Sequence, residues 1–168
     1  MARPSTPKLP VTQTLLSEVL QRVSNAKTKA KKVEILQEYK TDALKKILLC
    51  NFSKRITFCF PEGSTPYRPN EAPAGLEHQM LMTEHRLIEN FIKKELNGVT
   101  YYGCSGQPRP TMQQLKKENL WIQVLEGLHA DEAAVLDLVK DKKLTSRYKI
   151  TKQNVIDAFP ELLLQNDE

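Results

Sequence analysis

Two histidines, a glutamate and a cysteine are the residues best suited to chemistry. His78, Glu84 and His85 share one segment, and Cys104 lies among glycines in the run YGCSG. The inverted zinc-protease signature requires a shorter spacing between its first histidine and its Glu-His pair than the five residues found here. On one continuous helix the two histidines would stand roughly 10 Å apart, too far to share one zinc ion. We therefore expect no metal site.

A nucleophilic cysteine needs a lowered pKa and a base within reach. The sequence around Cys104 indicates neither, and GCSG lacks the pattern of a nucleophile elbow. The chain also has no phosphate-cradling glycine loop and no acidic cluster suited to magnesium. His129, at the corner GLHADE, is better explained by helix capping or core packing. The sequence therefore favours a protein with no catalytic activity and no cofactor.

Lysine and arginine are the other side chains with an evident chemical use. The net charge of +5 is uneven along the 168 residues, because positions 1–60 hold 12 Lys+Arg against 4 Asp+Glu. A second basic cluster lies in the connector 140–152. Such clusters can neutralise the phosphates of nucleic acid, although lysines on solvated helix faces would give the same pattern. The residues predicted to contact nucleic acid are Lys27, Lys29, Lys31, Lys32, Lys140, Lys142, Lys143, Arg147, Lys149 and Lys152.

The composition of these clusters predicts contact with the phosphate backbone rather than with bases. The clusters are mostly lysine, with few aromatic residues on which bases could stack. The connector is longer than the roughly three to four residues that join the helices of a helix-turn-helix motif. The helix after it offers only Gln153 and Asn154 for reading base edges. We therefore expect no sequence-specific recognition.

A proline-rich loop, residues 61–75, is the third candidate site. Its prolines exclude a helix or a central strand. The spacing of Pro66 and Pro69 fits the polyproline conformation of docking peptides, and Tyr67 and Arg68 between them are best placed to contact a partner. The alternative is a tightly packed surface loop, with the tyrosine lying over the core.

The segment Gln113–Leu144 predicts two helices joined by a sharp corner, and we expect the other elements of the chain to be organised around this helical hairpin. Apolar residues recur there at spacings of about three and four, as on one face of a helix. We expect Thr111 to cap the first helix, Gly127 to close it in the left-handed conformation, and Asp131 to cap the second. The predicted apolar faces are Leu115, Trp121, Ile122, Leu125 and Leu128, then Ala134, Val135, Leu138 and Val139.

Helical patterns cover most of the remaining chain. One starts at Thr12, a second follows the link NAKTKAKK, and Thr41 and Thr151 are placed to cap two more. The segment Leu76–Leu96 also reads as a helix, ended by Asn-Gly. The run RITFCF alternates as a strand does, and residues 98–103, GVTYYG, are its best candidate partner.

The predicted architecture is a mostly α, single-domain helical bundle of six or seven helices, with at most a small two-stranded β ribbon. Residues 1–11 form an extended N-terminal arm, residues 12–160 the helical domain, and residues 161–168 a C-terminal tail. Cys50, Cys59 and Cys104 are expected to be free thiols.

Several blocks of the sequence resemble a known family. PEGSTPYRPNEAPAGLEH, LWIQVLEGLHADEAAVLDLVKDKKL and VIDAFPEL, in this order and with KVEILQEY and ALKKILL before them, are similar to an uncharacterised family of small proteins encoded by large tailed bacteriophages, notably cyanobacterial myoviruses. The similarity covers about residues 15–160, and Asn97–Pro108 departs from it as an insertion would. The family has no established activity, so the resemblance transfers no site residues. It implies a phage protein that binds a partner.

We therefore expect a non-catalytic phage accessory protein that contacts nucleic acid electrostatically through its basic N-terminal third and its lysine-rich connector. The alternative is a protein-binding module that docks through the proline-rich loop: a phage–host adaptor, an inhibitor of host machinery or defence, or a virion component. No apolar run approaches the roughly 20 residues of a membrane span, and the N-terminus lacks a signal-peptide core. The expected location is the host cytoplasm or the virion, with no membrane partner.

Overall fold

The computed structural model describes residues 14–72 and 79–167, and most of these described residues are helical. The helices in these ranges are α1 (Leu16–Asn25), α2 (Lys29–Glu38), α3 (Asp42–Phe52), α4 (Leu81–Glu84), α5 (Gln114–Gly127), α6 (Ala130–Lys140), α7 (Lys152–Ala158) and α8 (Pro160–Asp167), with 3₁₀ helices at His85–Asn90 and Leu144–Ser146. The strands are β1 (Ile56–Phe58), β2 (Ile92–Leu96) and β3 (Val99–Tyr102). The mostly helical fold is confirmed, with a sheet of three strands where at most two were predicted.

Several parts of the prediction fall outside this description. The N-terminal arm, His78 and the last residues of the proline-rich loop are among them. Of the described helices, none has both the length and the apolar character needed to cross a bilayer. The predicted tail is helical, because α8 begins at Pro160 and continues to Asp167, which brings the described α-helices to eight.

Threonine caps define where three of the helices begin. The hydroxyl oxygens of Thr28, Thr41 and Thr151 each accept a hydrogen bond from a backbone N–H in the first turn, at 3.2, 3.2 and 3.3 Å. In return, the side chain of Asn154 accepts from the backbone N–H of Thr151 at 3.0 Å, which completes a capping box. The predicted caps at Thr41 and Thr151 are confirmed.

The hydrophobic core joins the sheet to the hairpin of α5 and α6 through Trp121. Its ring lies 5.6 Å from that of Phe58, 5.0 Å from Phe60 and 5.2 Å from Phe91, measured between centroids. The pairs are tilted or edge-on, the arrangements that aromatic quadrupoles favour. One indole therefore packs against β1, the loop that follows β1, and the residue before β2.

The sheet is an antiparallel meander in the order β1-β2-β3. Phe58 pairs with Ile92, and Leu96 pairs with Val99 across the turn. That turn is Asn97-Gly98, with φ of 52° and 79°, so both residues take the positive φ of a two-residue type I′ hairpin.

The predicted helix Leu76–Leu96 is therefore wrong over most of its described length. The α-helical part is only Leu81–Glu84, a 3₁₀ helix follows, and the last five residues form β2. The predicted pairing of RITFCF with residues 98–103 is also wrong, because β2 lies between β1 and β3. Asn-Gly suits both a helix end and a hairpin turn, and tertiary pairing selects the hairpin.

The α5–α6 hairpin is present, but its ends differ from the prediction. Thr111 does not cap α5, which begins three residues later at Gln114. Leu115 is 70% exposed and lies outside the buried face. Gly127 ends α5, but its φ is not in the left-handed region. A Cβ at this position would lie 2.6 Å from the side-chain oxygen of Gln79, so glycine is needed for the Gln79 side chain to pack against the backbone here.

The start of α6 is capped by a residue two positions before the predicted one. Asp131 does not cap the helix; instead, Nδ1 of His129 accepts a hydrogen bond from the backbone N–H of Asp131 at 3.1 Å. The expectation that His129 serves as a cap or packs in the core is confirmed.

A buried carboxylate on α6 holds the starts of two other helices. Glu132 is fully buried, and its two oxygens accept from the backbone N–H groups of Leu16 at 2.8 Å and Leu81 at 3.1 Å. These residues begin α1 and α4, and each follows an apolar residue that makes no side-chain cap, Leu15 or Met80. Glu132 therefore caps both helices from a third, with its charge at their positive ends.

Replacing this carboxylate should destabilise the whole fold. Glu132→Gln keeps the shape but leaves one acceptor oxygen for two buried N–H groups, so we expect the free energy of unfolding to fall by about 2–3 kcal/mol. Urea denaturation followed by circular dichroism measures it.

The matched control is Glu34→Gln on α2, where the carboxylate is 66% exposed and pairs with Lys31 at 3.5 Å. We expect the control to change the free energy of unfolding by less than about 0.5 kcal/mol. Equal losses in the two variants would contradict the capping role of Glu132.

Candidate functional site

The fold brings the two predicted basic segments together. The ammonium of Lys32, at the start of α2, donates to the backbone carbonyls of Lys149 at 2.6 Å and Val23 at 3.0 Å. The backbone N–H of Lys149 donates to the hydroxyl of Ser24 at 2.9 Å. Segments more than a hundred residues apart in the sequence thus form one surface.

An open cleft of about 890 Å³ lies where these segments meet, and we call it the basic cleft. In the described chain its lining holds four lysines and no acidic residue: Lys27, Lys29, Lys32 and Lys149. Lys27, Lys29 and Lys149 are exposed. Burial, followed by the charge of Lys149, lowers the pKa of Lys32.

Two of the predicted nucleic-acid contacts are engaged inside the protein. The side chain of Lys140 is 1% exposed, and its ammonium donates to the carbonyls of Pro61 at 2.9 Å and Gly63 at 2.7 Å and to the Asp141 carboxylate at 2.7 Å. Lys140 therefore fixes the start of the proline-rich loop to the end of α6. These internal hydrogen bonds account for a lysine at this position without any contact to a phosphate.

Lys142 closes α6 and holds the end of α3. Its φ of 58° is the left-handed conformation usually left to glycine, and the N–H groups of Lys142 and Lys143 donate to Val139 and Leu138 in a Schellman motif. Its ammonium donates to the carbonyls of Cys50 at 3.0 Å and Ser53 at 2.6 Å. Glycine could not supply these two bonds, which gives a reason for lysine at a strained position.

The remaining predicted basic residues lie outside the lining of the basic cleft. Lys31 pairs with Glu34, Lys143 with Glu62 at 3.3 Å, and Arg147 with Asp131 at 3.6 Å, all between exposed side chains. Lys152 is half-buried at the start of α7. Exposed ion pairs of this kind are worth little and rearrange readily.

The proline-rich loop is tied to the α5–α6 hairpin. The Asp137 carboxylate accepts from the hydroxyl of Thr65 at 2.7 Å and from its backbone N–H, and the same hydroxyl accepts from the Trp121 indole N–H at 3.0 Å. The backbone N–H of Arg68 donates to Glu126 at 3.1 Å. The described part of the loop is therefore fixed along α5 and α6.

Side chains of the predicted docking motif divide between core and solvent. Tyr67 is half-buried against the core, and burial, followed by the charge of Asp137, raises the pKa of its hydroxyl. Pro66, Arg68 and Pro69 are exposed. Beside them an apolar pocket of about 250 Å³, the loop pocket, is lined by Phe60, residues 61–66 and Trp121.

Cys104 lies in a charged cluster that the sequence did not indicate. Its Sγ is 2.7 Å from an oxygen of Glu89 and 3.1 Å from the ammonium of Lys46, which also pairs with Glu89. The other Glu89 oxygen accepts from the backbone N–H of Cys104 at 3.0 Å and lies 3.4 Å from the Arg109 guanidinium. A carboxylate that the sequence did not indicate therefore lies within hydrogen-bond distance of this thiol.

The protonation states in this cluster follow from burial and hydrogen bonding. Burial, and then the bond to Glu89, raise the pKa of the Cys104 thiol, so the thiol keeps its proton at neutral pH. Burial alone would raise the pKa of Glu89, but its bonds from Cys104 and Lys46 outweigh this and lower it. No sequence spacing signals the cluster, because its members come from α3, a 3₁₀ helix and the loop after β3.

His85 is partly buried, and its surroundings do not supply a set of metal ligands within the described residues. Burial, followed by the charge of Lys46, lowers the pKa of His85, and its buried Nδ1 makes no hydrogen bond in the described structure. Over residues 14–72 and 79–167, no three His, Cys, Asp or Glu side chains are grouped as metal ligands.

Comparison with known proteins places the chain by family. A family model described as "Family of unknown function (DUF6433)" matches residues 19–146, from within α1 to the 3₁₀ helix after α6. The chain belongs to this family. The matched DUF6433 region contains the Lys46–Glu89–Cys104 cluster and three lysines of the basic cleft, whereas Lys149 follows it. No curated protein and no solved structure matches the chain.

The cluster predicts a pH dependence of stability. Because the pKa of Glu89 is lowered by folding, its contribution is fully present above the unfolded-state pKa of roughly 4.3 and is lost as pH falls through the lower folded-state pKa. We expect Glu89→Gln to be less stable than the wild type by about 1–3 kcal/mol at neutral pH, and this difference to shrink under acid. Urea titrations at a series of pH values measure it.

Cys104→Ser is the control for this experiment. Serine keeps a hydroxyl that can donate to Glu89, so most of the acid dependence should remain. A difference between wild type and Glu89→Gln that stays constant down to the lowest pH would contradict the ion-pair description.

Proposed function

We propose that this protein is a non-catalytic accessory protein of a large tailed phage that binds the backbone of nucleic acid through its basic cleft. The observation that supports the proposal is the convergence of two separate lysine-rich segments on one cleft without an acidic residue in its described lining. A polyanion is the ligand such a surface attracts most strongly. The phage assignment rests on the resemblance of the sequence blocks, and the host cytoplasm is the corresponding location.

The side chains of the basic cleft favour contact with phosphates. Lysine ammonium groups act as compact point charges, without the planar fork by which arginine reads guanine. Lys29 also begins α2, so the positive end of that helix adds to the field. Tyr148, the aromatic residue beside Lys149, is 1% exposed and is not available to stack on a base. Binding should therefore depend strongly on salt and weakly on sequence.

The predicted contacts should contribute unequally. The exposed ammonium groups of Lys27, Lys29 and Lys149 are the primary contacts, while Lys32 joins the two segments that form the cleft. Lys31, Lys143, Arg147 and Lys152 lie elsewhere and would add to the general field. Lys140 and Lys142, whose ammonium groups bind carbonyls of the loop and of α3, are not part of the proposed interface.

Neutralising the primary contacts should weaken binding and its salt dependence together. The triple variant Lys27→Gln, Lys29→Gln, Lys149→Gln removes three phosphate contacts, so the slope of log affinity against log salt should become shallower by about 2–3. Fluorescence anisotropy with a labelled duplex, from low to physiological salt, measures both quantities.

The matched control removes the same charge from exposed positions outside the cleft lining, as Lys40→Gln, Arg86→Gln, Lys116→Gln. This control should keep most of the affinity if the basic cleft is the interface. Equal losses in the two variants would show that only net charge matters, and no binding by the wild type at about 50 mM salt would remove the proposal.

Protein docking through the proline-rich loop is the second candidate function. It is favoured by the loop pocket beside the exposed Pro66, Arg68 and Pro69, because a fixed loop carries a smaller ordering cost on binding than a mobile one. In this case the protein would be a phage–host adaptor, an inhibitor of host machinery or defence, or a virion component.

Tyr67→Ala combined with Arg68→Ala should then reduce the recovery of one stoichiometric protein from infected cells. Glu71→Ala, an exposed change in the same loop, is the control. Each pull-down is run with and without nuclease. A partner that nuclease releases supports the basic cleft instead, and a partner held equally by all variants argues against the loop.

A further inference from the structure

The cluster of Lys46, Glu89 and Cys104 has no part in either proposed interface. We propose that it is an oxidative modification site at which hydroperoxide joins Cys104 to Lys46 through a sulfur–nitrogen bond. The geometry carries the proposal, since the Lys46 nitrogen lies 3.1 Å from Sγ and Glu89 contacts both groups. Sulfenic acids condense with nearby nitrogen, and here an amine stands next to the sulfur.

The backbone beside Cys104 and an open cleft next to Lys46 also support the proposal. Gly103, with φ of 83°, brings the Cys104 backbone against the carboxylate; a Cβ there would stand 2.5 Å from Glu89. Lys46 and Glu89 also line an open cleft of about 360 Å³, beside His85. A molecule as small as a hydroperoxide can therefore reach two of the three groups from solvent.

The first step oxidises the sulfur. The thiol of Cys104 loses its proton to solvent base, and the thiolate attacks one peroxide oxygen. The O–O bond breaks, the sulfur keeps one oxygen as sulfenic acid, and the leaving hydroxide takes a proton from the neighbouring Lys46 ammonium to depart as water. Because burial and Glu89 raise the pKa of the thiol, the rate should increase as pH rises above neutral.

The second step forms the cross-link. The Lys46 nitrogen, now a neutral amine, attacks the sulfur. The S–N bond forms, the S–OH bond breaks, and hydroxide leaves as water with a second proton from the nitrogen. The overall balance is one thiol, one ammonium and one hydroperoxide molecule giving the sulfenamide, two molecules of water when the oxidant is hydrogen peroxide, and one proton.

Hydrogen peroxide treatment of the full chain, followed by intact mass and peptide mapping, tests the proposal. We expect a species lighter by two hydrogen atoms, in which the peptides of Lys46 and Cys104 are joined and dithiothreitol separates them. Dimedone added with the peroxide should label Cys104 and suppress the join. Cys59, also half-buried, is an internal comparison that should give no lysine-linked product.

Lys46→Arg is the matched variant, because it keeps the positive charge beside Glu89 but lacks the primary amine. It should lose the cross-linked product while Cys104 is still oxidised. The proposal is overturned if wild-type Cys104 passes only to sulfinic or sulfonic acid, if it reacts with another cysteine instead, or if it stays a thiol while Cys59 is oxidised. The dimedone result needs no variant, so a folding defect in Lys46→Arg leaves the test decisive.

Discussion

The fold depends on one buried charge, the carboxylate of Glu132 on α6. An ionised group without water is costly unless several donors satisfy it, and here the backbone N–H groups that begin α1 and α4 do so. Because each oxygen serves a different helix, α6 fixes where both start. The positions of α1, of the helical region between β1 and β2, and of the α5–α6 hairpin are thereby fixed relative to one another.

Buried or partly buried lysines also hold the ends of α6 and α3, by donating hydrogen bonds to backbone carbonyls. Lys140 holds the proline-rich loop through two carbonyls, and Lys142 holds the last carbonyls of α3 through two more. Cations placed at carbonyls of a helix end also match its dipole. Basic residues in this chain thus have two roles, and a count of lysines does not distinguish them. The basic cleft is defined only after those with internal partners are set aside.

Local signals in the sequence predicted local features well. The threonines before α3 and α7 cap their helices through hydrogen bonds that close within one turn, so the neighbouring sequence is enough to predict them. Asn97-Gly98 shows the limit, because its backbone preference fits two structures and the pairing of β2 with β1 decides between them. The structural roles of Glu132 and Lys142 could not be predicted, since the backbone groups that they bind lie tens of residues away in the sequence.

The candidate sites follow the same division. The lysines of the basic cleft could be identified from composition. That the two lysine-rich segments lie side by side could not, because this depends on the hydrogen bond from Lys32 to the carbonyl of Lys149, 117 positions away. Cys104 was singled out from the sequence, but its cluster was missed because no sequence signal connects it to Lys46 and Glu89. Its chemistry exists only where α3, the 3₁₀ helix and the loop after β3 meet. A site of this kind, formed by residues distant in the sequence, is found by examining buried ionisable side chains in the structure. Such side chains need hydrogen-bonding or charged partners, and the partners can change their reactivity.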